Sequence, residues 1–257
     1  MWAANGWALV QLCLFTGVGH FTQMLLHQPP PFRNKKFRNK NATATLKRLF
    51  SGLTIAALAC AQAQAAPHTR ADFRGETASS EVRRMADWVV VSADNGSLPF
   101  VIVDKKNAEV FVFDRQGQVL GAAPALLGLA VGDDSVPGVG DKPLSAIPPK
   151  DRTTPAGRFV GYMDQHPGKP NFLWVDYKDN VSLHRVVKGR PQDQRAERLA
   201  SPTTADNRIS FGCINVPADF FDHAVLPTFK GSRGVVYVMP EVRATRDFFP
   251  KYYDVVE

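Results

Sequence analysis

The sequence predicts a mostly β domain, sandwich-like or barrel-like, with a few short helices. Two observations carry this. From Leu98 onward, short β-branched and aromatic runs recur, each bounded by Gly, Pro, Asn or Asp. No phosphate-binding glycine loop, internal repeat or heptad pattern is present. Many short runs with turn signals favour packed or closed antiparallel strands over a βαβ fold.

Taken in order, residues 67–78 are polar and are expected to be poorly ordered. Ser79 to Val91 fits one amphipathic helix: Val82, Met85, Ala86, Val89 and Val90 recur at helical spacing, and Asp94-Asn95-Gly96 ends it. Phe100 to Val103 and Glu109 to Phe113 read as strands, joined by a hairpin at residues 104–108. Gln116-Gly117 turns the chain again, and Val119 to Leu129 continues the meander. Residues 132–149, rich in Gly, Pro and Asp, form a long surface loop. Arg158 to Met163, Phe172 to Tyr177 and Val181 to Val187 are further strands. Pro217 to Val225 is a short helix with Pro in its first turn. Gly234 to Met239 is a final strand, and the tail after Pro240 packs on the outside. The organisation is thus a leader (1–66), a polar segment with a helix (67–97), a β domain (98–240) and a tail (241–257).

The leader explains the charge. The formal net charge of +7 over 257 residues arises from seven basic residues before residue 66, where no Asp or Glu occurs. The remainder has 31 − 7 = 24 basic against 24 acidic residues, so it has no net field for nucleic acid. Lys47 and Arg48, the apolar run Leu49 to Ala61 and the small-x-small sites ending at Ala63 and Ala65 read as an export signal. The protein is therefore expected in the periplasm or cell envelope, without stable membrane contact after cleavage. Cys60 faintly resembles a lipoprotein site. Residues 1–46 are either an extra anchor or an over-extended reading frame. The sequence leaves oligomeric state open.

Cleavage would leave Cys213 as the one cysteine of the three. A leftover thiol in an oxidising compartment is a liability unless it is paired between chains or used chemically. Cys213 stands in Arg208-Ile209-Ser210-Phe211-Gly212-Cys213-Ile214-Asn215. Gly212 permits a tight turn, and N–H groups there would favour a thiolate and stabilise an oxyanion. A thiol nucleophile needs a base. His184, on the alternating run Val181 to Val186, is the best candidate. His20 and His27 lie in the leader, His68 and His166 in loops, and His223 on the following helix.

His184 followed by Ser210-x-Gly212-Cys213-Ile214-Asn215 resembles the signature of the L,D-transpeptidase catalytic domain (YkuD-type). Phe100 to Asp104, Val110 to Asp114 and Thr154-Pro155-Ala156-Gly157-Arg158-Phe159 resemble that family's opening hairpin and its Thr-Pro-x-Gly-x-Phe segment. The resemblance covers residues 98–240. It implies Cys213 as nucleophile, His184 as base, and Ser210, Phe211 and Gly212 as the active-site turn. Peptidoglycan stem peptides are the implied substrate, and no metal or cofactor is required. Phe211 stands where the family has His, and the insertion 188–207 lengthens the interval between His184 and Cys213; it is either a lid or a solvated loop. Arg208 and Asn215 are weaker candidates for substrate contact: Arg208 suits a stem carboxylate or a salt bridge, and Asn215 a loop-shaping role. Trp174 and Tyr177 fit a cleft lining or a core. Carboxypeptidase activity, a non-catalytic wall-binding module and a different cysteine enzyme are the competing readings. The acceptor amine is not encoded in any recognisable motif.

Overall fold

The computed structural model describes residues 70–165, 168 and 170–256. The expected export signal, residues 1–46, Cys13, Cys60 and four of the histidines lie outside them. Ten strands are described: β1 (Phe100–Asp104), β2 (Glu109–Phe113), β3 (Val119–Pro124), β4 (Leu127–Gly128), β5 (Gly157–Asp164), β6 (Phe172–Asp176), β7 (Val181–Arg185), β8 (Arg208–Ser210), β9 (Ile214–Val216) and β10 (Arg233–Val238). Eight form one sheet in the order β3-β2-β1-β10-β5-β6-β7-β9, and β4 pairs with β8. A bridge between Leu126 and Asn215 brings the chain leaving β3 against β9 at the far end of the sheet. The sheet is thereby nearly closed, and the expected mostly β, barrel-like architecture is the one observed.

Helix α1 (Ser80–Ser92) starts where expected. Ser79 caps it by accepting the Val82 N–H at 3.2 Å and also donates to Asp104, tying the helix to the end of β1. Its apolar stripe buries Val82, Met85, Ala86, Trp88 and Val89 against Phe100, Ile102, Val235 and Tyr237. The opposite face of those strands presents Val101, Val103, Val236 and Val238 to a second cluster. That cluster is covered by an irregular helix running from α3 (Ala218–Phe220) through a π turn (Phe221–Val225) into α4 (Leu226–Phe229). β1 and β10 are thus apolar on both faces, which is why they read as continuous apolar runs rather than alternating ones.

Three expectations require correction. Residues 70–78 are anchored rather than loose: Asp72 pairs with Gln118, and Phe73 (6% exposed) packs edge-on against Phe111 and Phe113. The tail is part of the core rather than an outer layer, because Phe249 is buried beside Trp88 and the Lys251 carbonyl accepts the Trp88 indole N–H. Strands β8 and β9 were not foreseen, since three-residue strands carry too short a pattern. No described helix is long and apolar enough to cross a membrane.

Candidate active site

Strand register decides which side chains meet. Leu183 lies opposite Leu173 on β6 and Ile214 on β9, all facing the inner core. Alternation then puts Ser182 and His184 on the other face. On that face Trp174 lies opposite Ser182, Tyr162 opposite Trp174, and Asn215 opposite His184. Val235 and Tyr237 belong to the same face, opposite Val160 and Arg158, where α1 covers them. The helix covers one end of this face and leaves the other open. Val160, Tyr162 and Tyr177 are accordingly exposed, with Phe172, Trp174 and Tyr177 in edge-on contact.

Cys213 sits at the open end, in the turn between β8 and β9. Its side chain is nearly buried (7% exposed), and its Sγ lies 3.6 Å from the Ser182 hydroxyl and 3.6 Å from the Asn180 carbonyl. The turn is held from within. The Ser210 hydroxyl donates to the Cys213 carbonyl at 2.6 Å and accepts the Gly212 N–H at 3.0 Å. It is also held from outside: Thr154 donates to the Gly212 carbonyl and accepts the Gly128 N–H. Gly212 adopts φ +129°, and a Cβ there would stand 2.7 Å from the Thr153 carbonyl oxygen, so glycine is required twice over. Its N–H is committed to Ser210, so service as an oxyanion donor would require that bond to open.

His184 is nearly buried (8% exposed), with Nδ1 2.7 Å from the Arg185 carbonyl oxygen. A carbonyl only accepts. Nδ1 is therefore the donor in this bond, and in the neutral ring Nε2 is the nitrogen with a lone pair able to take a proton. Ser182 and His184 are about 7 Å apart along β7 by strand rise, both on the face that bears Cys213.

Asn215 donates to the Cys213 carbonyl and accepts from Arg195, so its amide is occupied in shaping the loop. Arg195 opens α2 (Arg195–Ala200) within the insertion, and Asp193 lies 3.6 Å away. The insertion is thereby fastened over the β9 side of the site. Arg208 pairs with Glu241 and donates to the Lys105 carbonyl, inside a buried network. His223 is exposed and bonds the Asp219 carbonyl on its own helix. Phe211 is half-buried beneath Arg152. Sequence reasoning missed Ser182 and Thr154, although Ser182 stands two residues before His184, the spacing that puts both on one face.

Behind the turn, Lys105 is fully buried and donates to the Gly132 and Thr154 carbonyls and to Asp133. Burial pushes the lysine below its ordinary pKa, against the pull of Asp133 and Glu241. Burial acts to raise Asp133, but the Lys105 hydrogen bond and the N–H groups of Glu241, Arg243 and Val242 outweigh it and hold the carboxyl at about 2. No group of three or more His, Cys, Asp or Glu side chains suited to a metal occurs among the described residues.

Solved structures similar to this chain include L,D-transpeptidases. The one from Enterococcus faecium shares 17% identity over 55% of this chain and 49% of its own, with a TM-score of 0.32. One from Mycobacterium smegmatis shares 17% over 55% and 58%, with a TM-score of 0.30. The helical cell shape determining protein Pgp2 from Campylobacter jejuni shares 16% over 58% and 51%, with a TM-score of 0.37. The chain thus spans about half to three-fifths of those chains. No family model and no curated protein matches the sequence.

Proposed function

We propose that this protein is a cysteine-dependent acyltransferase acting on peptidoglycan stem peptides, in the manner of an L,D-transpeptidase. The observation that carries the reading is the pairing of β7 with β9. It sets Ser182 against the Cys213 thiol and His184 on the same sheet face, with His184 Nδ1 held by the Arg185 carbonyl so that Nε2 is the nitrogen left to accept a proton. The sequence signature from His184 to Asn215 supports the same chemistry.

In this reading His184 Nε2 takes the Cys213 proton, and the thiolate attacks the carbonyl of the third stem residue. The C–N bond to the terminal D-Ala breaks as the imidazolium returns its proton to the leaving nitrogen, giving a thioester and free D-Ala. An amine from a second stem then attacks the thioester and restores the thiol. Water in place of the amine gives the carboxypeptidase outcome. Ser182 supports the thiolate, and the Ser210 and Thr154 bonds hold the turn still, so that little reorganisation is needed at reaction.

The test is to incubate the full chain with a disaccharide-tetrapeptide and to follow the products and the intact protein by mass spectrometry. Release of D-Ala with a crosslinked dimer and a transient acyl-protein is expected, and all three vanish in Cys213→Ala. Release of D-Ala without a dimer would make it a carboxypeptidase. Neither product nor acyl-protein would replace the enzymatic reading with a wall-binding one.

A further inference from the structure

We infer that Arg152, held on the ring of Phe211, is the residue that binds the free carboxylate of the peptide donor; the assignment rests on the acyl-transfer reading and adds the feature of the substrate that the site selects. The Arg152 guanidinium carbon lies 4.0 Å from the centre of the Phe211 ring, and Nε donates to the Ile147 carbonyl at 2.9 Å. These two contacts fix the plane of the fork. They leave Nη1 and Nη2 without hydrogen bonds to the described residues.

The contrast with neighbouring arginines points to an anionic ligand. Arg185 pairs with Asp222, Arg195 lies near Asp193, and Arg208 pairs with Glu241. No described carboxylate comes within ion-pair distance of Arg152, although the residue is half-buried. A guanidinium that has lost part of its hydration and has no counter-charge favours an incoming anion, and its planar fork matches a carboxylate with two parallel bonds.

Its position is beside the nucleophile. The segment Arg152-Thr153-Thr154 runs against the Cys213 turn: the Thr153 carbonyl abuts Gly212, Thr154 bonds the Gly212 carbonyl, and the Arg152 carbonyl accepts the Ala130 N–H at 3.0 Å. Phe211 is two residues from Cys213. An aromatic face attracts a cation without neutralising it, whereas an acidic side chain there would have consumed the charge. Phe211, the departure from the family pattern, thus serves as the platform for this arginine. The donor class that follows is a peptide ending in a free α-carboxylate, close to the bond that breaks.

Two donors test this, a tetrapeptide stem ending in D-Ala and the same stem ending in D-alaninamide. They are measured for acylation of the wild-type chain and for equilibrium binding to Cys213→Ala. The wild type should prefer the carboxylate by 10-fold to 100-fold in kcat/KM, as expected for one charge-assisted bidentate contact, and Cys213→Ala should bind it correspondingly tighter. Arg152→Gln should treat the two donors alike while keeping the far-UV circular dichroism spectrum of the wild type. Arg152→Lys, with charge but no fork, should fall between. Phe211→Leu, which keeps an apolar side chain but removes the ring, should lose part of the preference. Equal use of both donors by the wild type, or a preference that survives Arg152→Gln, overturns the assignment while leaving acyl transfer intact. Acylation by neither donor, with binding that does discriminate, removes the enzymatic reading and keeps the carboxylate site.

Discussion

At the residue scale, the proposed chemistry turns on Ser182. Its hydroxyl is buried and lies 3.6 Å from the Cys213 sulfur, a contact that gains strength once sulfur is anionic. Ser182→Ala should therefore lower the rate of acylation about tenfold or more, roughly the value of one hydrogen bond to a charged group. The pH dependence of iodoacetamide alkylation should move to higher pH in the variant, since the thiolate loses a donor; an unchanged profile would assign Ser182 to packing alone. The sequence displays Cys213 and His184 because candidates for nucleophile and base stand out by residue type. Ser182 was visible only through the period-two rule applied backwards from His184. Arg152 lies 61 positions before Cys213, and only the folded loops bring it to Phe211. The bonds of Arg208 and Asn215 were likewise settled by long-range partners, Glu241 and Arg195, that no local pattern announces.

At the element scale, the β8–β9 turn leaves little room for change. Gly212→Ala asks an L residue to hold a positive φ while its methyl meets the Thr153 oxygen. The fold should lose at least about 2 kcal/mol, readable as a drop in the urea midpoint with an unchanged slope. A stability equal to wild type would mean the turn can be rebuilt around a side chain. Most elements were legible. The strands β1, β2, β5, β6, β7 and β10 and helix α1 have five or more residues each, long enough for alternation or helical spacing to show. The turn's own strands were not legible, because they take their conformation from β4 and β7 rather than from propensity. Phe73 was misjudged for a related reason: one aromatic residue anchors a polar segment only when Phe111 and Phe113 are there to receive it.

At the scale of the whole molecule, the buried ion network joins parts of the chain that the sheet alone does not. Lys105 follows β1, Asp133 and Thr154 belong to the long loop region, Glu241 follows β10, and Arg208 opens β8. Asp133 titrates at about 2 rather than its ordinary 3.8. A depressed carboxyl contributes stability that is present above about pH 4 and is lost as pH falls towards 2, amounting to on the order of 2 kcal/mol. Unfolding measured across that window should show the loss, and Asp133→Asn, though less stable at neutral pH, should show a shallower one. Identical acid slopes in the two proteins would contradict the arrangement. The central strand pair has a consequence of another kind. β10 lies between β1 and β5, and Phe100 meets Val235 across 135 positions of chain. Until residue 238 has been synthesised, β1 and β5 each present an apolar edge with no neighbour, and closing so long a loop is slow. The polypeptide therefore cannot mature piecemeal from its amino end. β10 is thus both the last strand of the sheet to be made and the one on which those two edges wait.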